Sequence, residues 1–229
     1  MTAPDETVVG GDEVVAQLAG AATSAVSDAL DRLGIAGQAF GIRAVTPGRR
    51  MAGRAFTGLY QPVDVDGGTV GDYIDDVPSG SVVVLDNAGR TDATVWGDIL
   101  TLVASRRGIA GTAIDGVCRD ADRSVELGYP IFARDRWMRT GKDRVQLVGL
   151  QVPVTLGQVR VRPGDVVIGD DDGVVVVPRD REAEVLEAVL AIERAEEDIR
   201  RQVLEGIRLD EARRRLGYFS LQTRRTTGG

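Results

Sequence analysis

The sequence predicts an α/β fold built around a central βαβαβ unit, with further helices before and after it. Between residues 82 and 133, three short runs of apolar, mostly β-branched residues alternate with two segments whose apolar residues recur at helical spacing. Strands joined through helices in this way pair in parallel by right-handed crossovers. The 229 residues are enough for one large domain with a sizeable core.

The central unit is bounded by clear turn and helix signals. Pro78-Ser79-Gly80 predicts a turn before the first strand, and Arg106-Arg107-Gly108 is typical of the end of a helix. In order, the unit is a strand at 82–85, a helix from about 99 to 107, a strand at 112–114, a helix at 120–127 and a strand at 131–133.

The flanking segments complete the expected organisation. Asp12 is the predicted cap of a helix through Leu18, and Ser24 the predicted cap of a helix through Leu33 that Gly34 ends. Residues 35–60 read as short strands and turns, and a charged amphipathic helix is expected from about 179 to 204. Five short strands are predicted between them, at 145–148, 152–156, 158–161, 165–169 and 173–177. We therefore expect a loose lead-in at 1–10, one domain at 11–205 and a partly helical extension at 206–229.

Composition restricts the chemistry that the chain can perform. It has no histidine and one cysteine, which excludes Ser-His-Asp and Cys-His nucleophiles, imidazole metal sites and CxxC motifs. Any metal must sit on oxygen ligands, which favours Mg²⁺, Mn²⁺ or Ca²⁺. The net charge of −7, the absence of a signal pattern and the lack of a long apolar run predict a cytoplasmic protein with no nucleic-acid or membrane partner.

Two loops at the carboxyl ends of the first two strands of this unit are the candidate site. The segment Gly97-Asp98-Ile99-Leu100 begins a helix, whose backbone N–H groups can hold a carboxylate or phosphate. Arg119 offers a planar fork for a carboxylate, and Asp120 offers a hard oxygen for a divalent cation. The structural alternative is an ordinary helix cap and a surface ion pair, and pattern alone does not exclude it.

Several motifs in one order make the chain resemble the RraA-like family, which includes 4-hydroxy-4-methyl-2-oxoglutarate aldolases and regulators of ribonuclease activity A. The resemblance covers about residues 15–205. The segments that carry it are 27–34, 97–100, 108–111, 114–120, 128–133, 163–165 and 172–178.

The resemblance implies a β/β/α sandwich-like fold, assembled as a homotrimer or homohexamer with sites between subunits. It implies a lyase: a class II aldolase that releases pyruvate from a 2-keto acid, with oxaloacetate decarboxylase side activity. By this resemblance, residues 97–100 hold the pyruvyl carboxylate, Arg119 binds the keto acid and Asp120 is the protein ligand of Mg²⁺ or Mn²⁺. Asp98 is expected to orient a metal-bound water that transfers protons. The resemblance also implies that a glutamate of a neighbouring subunit lies near the waters of the metal. The candidates for that glutamate are Glu193, Glu196 and Glu197.

The sequence leaves alternative interpretations of the function and of several residues open. A non-catalytic regulator of the ribonuclease-regulator type is the alternative function, since one architecture hosts both uses. The segment 136–139 and the pair Gly157-Gln158 depart from the family pattern, which leaves room for a different 2-keto acid. Cys118 is expected to be a small buried residue rather than a nucleophile. The run Asp170-Asp171-Asp172-Gly173 is expected to be a hairpin turn rather than a calcium loop.

Overall fold

The computed structural model describes residues 9–65 and 68–217, and it describes side chains from residue 13 onward within those ranges. The predicted lead-in therefore falls mostly outside the described residues. The helices are α1 (Val9–Gly20), α2 (Thr23–Leu33), α3 (Asp98–Arg106), α4 (Ala121–Leu127), α5 (Glu182–Leu204) and α6 (Leu209–Arg215). The strands are β1 (Arg43–Ala44), β2 (Met51–Pro62), β3 (Val82–Thr94), β4 (Gly111–Cys118), β5 (Ile131–Arg136), β6 (Val145–Leu150), β7 (Val154–Leu156), β8 (Val159–Val161), β9 (Val166–Asp170) and β10 (Gly173–Val177).

One mixed sheet organises the molecule. Its strand order is β1-β5-β4-β3-β2-β9-β10, and β6 pairs with the C-terminal part of β2. The pairs β2–β3, β3–β4 and β4–β5 are parallel, so the predicted βαβαβ unit is confirmed. The α/β fold with a central sheet and flanking helices is likewise as the sequence predicted.

Both faces of the parallel part are buried, which explains its unbroken apolar strands. Along β3, Val83 and Leu85 pack in the core on the side of α3 and α4, whereas Val82 and Val84 face the β7–β8 hairpin and β10. A third cluster lies between β9–β10 and the helices α1, α2 and α5. The site loops therefore rest on a sheet that is packed from both sides.

Three local expectations need correction. α1 begins at Val9, so Asp12 lies inside that helix rather than at its cap. The residue before α2 is Ala22, not Ser24, and the N–H of Thr23 donates instead to the carboxylate of Asp170, 2.9 Å away. A tertiary contact thus replaces the local cap. Residues 51–62 form one long strand, whereas the Gly-rich pattern predicts short strands separated by turns.

The strands and helices after residue 145 are of the predicted types, and their bounds differ from the predicted ones by a few residues. The five short strands all occur, and the long helix is α5, entered through a short 3₁₀ turn at Arg179–Arg181. β9 and β10 form the expected antiparallel hairpin around the aspartate-rich turn. The carboxylates of Asp170 and Asp171 in that turn accept hydrogen bonds from backbone N–H groups of other segments. In the part of the chain that the structure describes, no helix is long and apolar enough to span a membrane.

Two buried carboxylates fasten the β7–β8 hairpin to the central strands. Asp86 on β3 accepts from the N–H of Thr155 at 2.8 Å. Asp115 on β4 accepts from the N–H of Gly157 at 2.9 Å and from Nε of Arg134. Because Asp86 and Asp115 are side by side in the β3–β4 register, they hold the hairpin across the sheet face opposite α3 and α4.

Candidate active site

A cavity of about 220 Å³ lies at the carboxyl ends of β3 and β4, where the sequence places the candidate residues. Five of the six predicted site residues line it: Gly97, Asp98, Ile99, Leu100 and Arg119. The sixth, Asp120, contacts two of them directly. The structure thus brings the two predicted loops together at one opening.

Gly97 leaves no room for a side chain between the two loops. A Cβ at this position would lie 2.9 Å from Oδ2 of Asp120 and 3.1 Å from Nε of Arg119. Its φ of −152° is extended backbone that any residue adopts, so space and not conformation calls for glycine here. The absence of a side chain lets Arg119 and Asp120 lie against the start of α3.

Asp120 directs its carboxylate away from its own helix. It stands at the N-cap of α4 but makes no side-chain cap hydrogen bond there, and its backbone is left-handed with φ 57°. Instead Oδ2 accepts a hydrogen bond from the N–H of Asp98 at 3.2 Å, and it forms an ion pair with Arg119, whose Nε is also 3.2 Å away. The side chains of Arg119 and Asp120 are 38% and 41% exposed, so neither is enclosed by the fold, and Arg119 also lines the cavity.

The first turn of α3 supplies further donors. The N–H groups of the first turn of a helix have no intrahelical carbonyl to bond, and their dipoles favour an anion. The N–H of Asp98 donates to Asp120, which leaves those of Ile99 and Leu100 at the cavity wall. Together with the guanidinium of Arg119 they form a cradle suited to a carboxylate.

A buried hydrogen-bond network fixes the start of α3. Nε1 of Trp96 donates to Oγ1 of Thr101, which in turn donates to the carbonyl of Gly97 at 3.0 Å. The hydroxyl of Thr94 donates toward the carbonyls of Trp96 and Val117 and so ties the end of β3 to β4. Trp96 also stacks on Tyr129, with ring centroids 6.3 Å apart. The cradle is therefore positioned by rigid, fully buried groups.

The far wall of the cavity comes from segments that the sequence did not single out. Val70, Gly71 and Asp72 form one side, and Thr140 closes the end beside Thr94. The hydroxyl of Tyr60 donates to the carbonyl of Val70 at 2.8 Å. Residues 70–72 precede Arg119 by nearly fifty positions and Thr140 follows it by about twenty, and no motif marks either segment.

The donor set fits a hydrated Mg²⁺ or Mn²⁺ and no more elaborate metal site. Among the described residues, no group of three or more His, Cys, Asp or Glu side chains could hold an ion. Asp120 presents one partly exposed carboxylate beside the cavity-lining Arg119, and Mg²⁺ characteristically binds through one or two carboxylates while keeping its remaining waters.

Cys118 and the glutamates of α5 were also considered as site residues. Cys118 is buried, and burial raises the pKa of its thiol to about 12, which agrees with a packing residue rather than a nucleophile. The predicted glutamates lie on α5, where Glu196 and Glu197 pair with Arg200 of the same helix. The contribution of Glu193, Glu196 or Glu197 to a neighbouring subunit stays a prediction.

The segment 136–139 passes over the ends of the central strands beside the cavity. The N–H of Trp137 donates to the carbonyl of Cys118 at 2.9 Å, and the N–H of Thr94 donates to the carbonyl of Arg139 at 3.0 Å. The side chains of Trp137 and Met138 are exposed. Of the two departures from the family pattern, the segment 136–139 therefore lies at the edge of the candidate site, whereas Gly157-Gln158 belongs to the turn of the β7–β8 hairpin.

Known proteins are similar in sequence to most of this chain. Protein DlpA of Legionella pneumophila is 38% identical over 216 residues, which are 92% of this chain and 35% of DlpA, so the chain spans about a third of that relative. A protein of Halalkalibacterium halodurans named "Putative 4-hydroxy-4-methyl-2-oxoglutarate aldolase" is 33% identical, with 72% of this chain and 76% of that protein covered.

A solved structure shows the same architecture. RraAS2 of Streptomyces coelicolor, described as an unusual member of the RNase ES inhibitor RraA protein family, superposes with a TM-score of 0.73 at 31% identity. The match covers 86% of this chain and 97% of RraAS2. A family model described as RraA-like, Aldolase/RraA, matches residues 23–176, a span that contains both site loops. The chain belongs to the RraA-like family.

Proposed function

We propose that this chain is a divalent-metal-dependent lyase that cleaves a 2-keto acid of the 4-hydroxy-4-methyl-2-oxoglutarate type by a retro-aldol reaction and releases pyruvate. Decarboxylation of oxaloacetate, which also yields pyruvate, is the proposed side activity. One observation carries the proposal: Arg119, Asp120 and the N-terminal turn of α3 meet at one cavity. The aldolase name of the Halalkalibacterium relative supports the reaction class.

The carboxylate next to the keto group is bound by the cradle. The N–H groups of Ile99 and Leu100 donate to it, and Arg119 places its guanidinium beside the keto oxygen. Breaking the carbon–carbon bond leaves an enolate, whose charge must be met by groups already in place. Arg119 is held against Gly97 and Asp120 before substrate arrives, so little reorganisation is needed.

Proton movement falls to a carboxylate and water, because the chain has no histidine. Asp98 is the exposed carboxylate at the first residue of α3 and lines the cavity. In our proposal it orients the water that takes the proton of the substrate hydroxyl and returns a proton to the enolate carbon.

The metal would be held by Asp120. When bound, Mg²⁺ or Mn²⁺ supplies positive charge that stabilises the developing oxyanion. The hydrogen bond from Asp98 N–H and the ion pair with Arg119 hold the Asp120 carboxylate beside two residues that line the cavity, which supports this role. We also propose a homotrimer or homohexamer, in which a glutamate of α5 approaches the site of a neighbouring subunit.

The test is pyruvate release from 4-hydroxy-4-methyl-2-oxoglutarate and from oxaloacetate, measured with lactate dehydrogenase and NADH. We expect turnover that a chelator abolishes and Mg²⁺ or Mn²⁺ restores, and we expect Arg119→Ala and Asp120→Ala to lose at least about a hundredfold, since one preorganised donor contributes ~3 kcal/mol. The matched controls are Arg123→Ala and Asp122→Ala on α4, which do not line the cavity. Undiminished turnover in either site variant would disprove the assignment.

The same assay separates the enzyme from the regulator of the alternative interpretation. Suppose that the protein releases no pyruvate from either substrate with Mg²⁺ or Mn²⁺ added, and that it binds neither metal. That result contradicts the proposed activity and favours a non-catalytic binding protein.

A further inference from the structure

We propose that Thr94 is a positioning residue of the candidate site: its buried hydroxyl fixes the Trp96–Gly97 peptide so that the N–H of Gly97 is presented to the substrate carboxylate. The inference rests on the proposed function and names a residue on which binding of the pyruvyl group depends. Thr94 exerts this role through the peptide that it holds.

The hydroxyl of Thr94 bonds to both polar groups of the Trp96 backbone. Thr94 is the last residue of β3 and is 3% exposed. Its Oγ1 accepts from the N–H of Trp96 at 3.2 Å, and it can donate to the carbonyl of Trp96 at 2.8 Å or to that of Val117 at 3.0 Å. A hydroxyl has one hydrogen to donate, and here both candidate acceptors are backbone carbonyls. Thr94 therefore links the ends of β3 and β4 to the start of the loop that precedes α3.

The carbonyl of Trp96 is the junction between the two site loops. It accepts from the N–H of Arg119 at 3.1 Å as well as from the Thr94 hydroxyl. These two bonds occupy both lone pairs of the carbonyl oxygen. Because a trans peptide is planar, the N–H of Gly97 points opposite to this carbonyl. The bonds that hold the carbonyl therefore also set the direction of the Gly97 N–H.

The N–H of Gly97 is left for a ligand. Gly97 lines the cavity, and across residues 9–65 and 68–217 no group accepts a hydrogen bond from its N–H. A backbone donor in such a position requires water or a ligand as its partner. It lies beside Arg119 and the first turn of α3, where a carboxylate is favoured. The direction of this N–H thus bears on how well the pyruvyl carboxylate is bound.

Removal of the Thr94 hydroxyl should weaken binding more than chemistry. Thr94→Val keeps the shape of the side chain but leaves the N–H of Trp96 without its acceptor and the Trp96 carbonyl with one bond fewer, so the peptide is free to rotate. The ion pair between Arg119 and Asp120 does not involve Thr94. The pyruvyl carboxylate is charged both in the bound substrate and in the transition state, so a poorer cradle weakens both alike. Such a loss raises KM and leaves kcat nearly unchanged.

The experiment measures KM, kcat and pyruvate affinity on the Mg²⁺-loaded protein. We expect Thr94→Val, and independently Thr94→Ala, to raise KM at least about tenfold for oxaloacetate and for 4-hydroxy-4-methyl-2-oxoglutarate, the effect of one hydrogen bond to a charged group. Thr94→Ser keeps the hydroxyl and should restore KM to near the parent value. Calorimetric titration with pyruvate reports the same interaction without turnover, and its Kd should rise about tenfold in the two variants without the hydroxyl.

Thr46→Val is the matched control. Thr46 is 1% exposed, its Oγ1 accepts from the N–H of Ile131 at 2.8 Å, and it donates to the carbonyl of Tyr129 at 3.1 Å. It does not line the cavity. This variant loses the same kind of buried backbone contacts elsewhere in the sheet, so it should lower the melting temperature while KM and the pyruvate Kd stay unchanged.

The outcomes distinguish the inference from the proposed function. KM and pyruvate affinity that neither Thr94→Val nor Thr94→Ala changes, or a loss that Thr94→Ser shares in full, overturn the inference while the lyase activity stands. An equal rise of KM in Thr46→Val overturns it as well, since general loosening of the fold would then explain the effect. A parent protein that turns over neither substrate and binds no pyruvate overturns the proposed function, and the inference with it.

Discussion

Replacing Gly97 by alanine tests the candidate site with the smallest possible change. The added methyl group would lie 2.9 Å from Oδ2 of Asp120 and 3.1 Å from Nε of Arg119, both closer than real Cβ atoms tolerate comfortably. Because φ at Gly97 is −152°, the backbone accepts alanine without strain. The methyl group must therefore push aside the two side chains that the proposed chemistry needs.

The expected loss follows from those two contacts. Misplacing one preorganised group costs ~3 kcal/mol in the transition state, so kcat/KM for pyruvate release should fall at least about a hundredfold. Stability should change by less than about 1 kcal/mol, since Arg119 and Asp120 are partly exposed and surface ion pairs contribute little. Thermal unfolding and the coupled pyruvate assay measure the two quantities on one preparation.

Gly20→Ala is the matched control for this variant. A Cβ at Gly20, the last residue of α1, would meet nothing within 4 Å, so the same chemical change should leave turnover unaltered. A Gly97→Ala protein that keeps turnover within about threefold of the parent would refute the reasoning. It would mean that the close approach of α3 to Arg119 and Asp120 is incidental to catalysis.

Two further predictions concern the scaffold. Asp115→Ala should lower the free energy of unfolding by ~3 kcal/mol, because it leaves Arg134 and the N–H of Gly157 without their buried acceptor. Urea unfolding measures this change, and an unchanged midpoint would contradict the role of Asp115 in fastening the β7–β8 hairpin. Burial would raise the pKa of Asp170, but hydrogen bonds from the hydroxyl and N–H of Thr23 outweigh it and lower the pKa below 3.8. Its contribution to stability is thus present above that value and lost as the pH falls through the depressed native pKa, and Asp170→Asn should flatten the decline of the melting temperature in that acidic range.

The parallel core of the fold could be predicted because its signals are local. Val82–Leu85 is unbroken and apolar since both faces of β3 are covered, and Gly108 follows α3 where the pattern of helix ends requires it. The start of α2 could not be predicted in the same way. Its first N–H is satisfied by Asp170, 147 residues away, and a single sequence carries no sign of that pairing.

The polar half of β3 was missed for a physical reason as well. Residues 86–94 are mostly polar and read as a loop, yet they continue the strand with two shifts of register against β4. Ala88 and Gly89 both have positive φ, so the chain bulges out and returns. A specific hydrogen bond closes this excursion, from Nδ2 of Asn87 to the carbonyl of Ala93 at 3.0 Å, and alternating hydrophobicity gives no sign of it.

The near wall of the site was predicted and the far wall was not. Gly97, Arg119 and Asp120 follow strands of one parallel sheet, and the rule that such loops converge brought them together. Asp72 and Thr140 reach the cavity through irregular segments whose course depends on buried anchors such as Tyr60. A tyrosine inside a strand reads as core in any sequence, and its role as an anchor becomes visible only with the fold.

The sequence position of Asp120 predicts a helix cap, but its side chain makes other contacts. An aspartate just before a helix is ordinarily read as an N-cap, where the carboxylate contributes ~1 kcal/mol to its own helix. Here the left-handed backbone turns the carboxylate toward the N–H of Asp98 and Nε of Arg119, and α4 receives no side-chain cap. A position that forgoes local stabilisation in a strained conformation is one that the surrounding structure must hold in place. The carboxylate so displaced lies against Arg119 and Asp98, which line the cavity, and this is the geometry that the proposed function requires of Asp120.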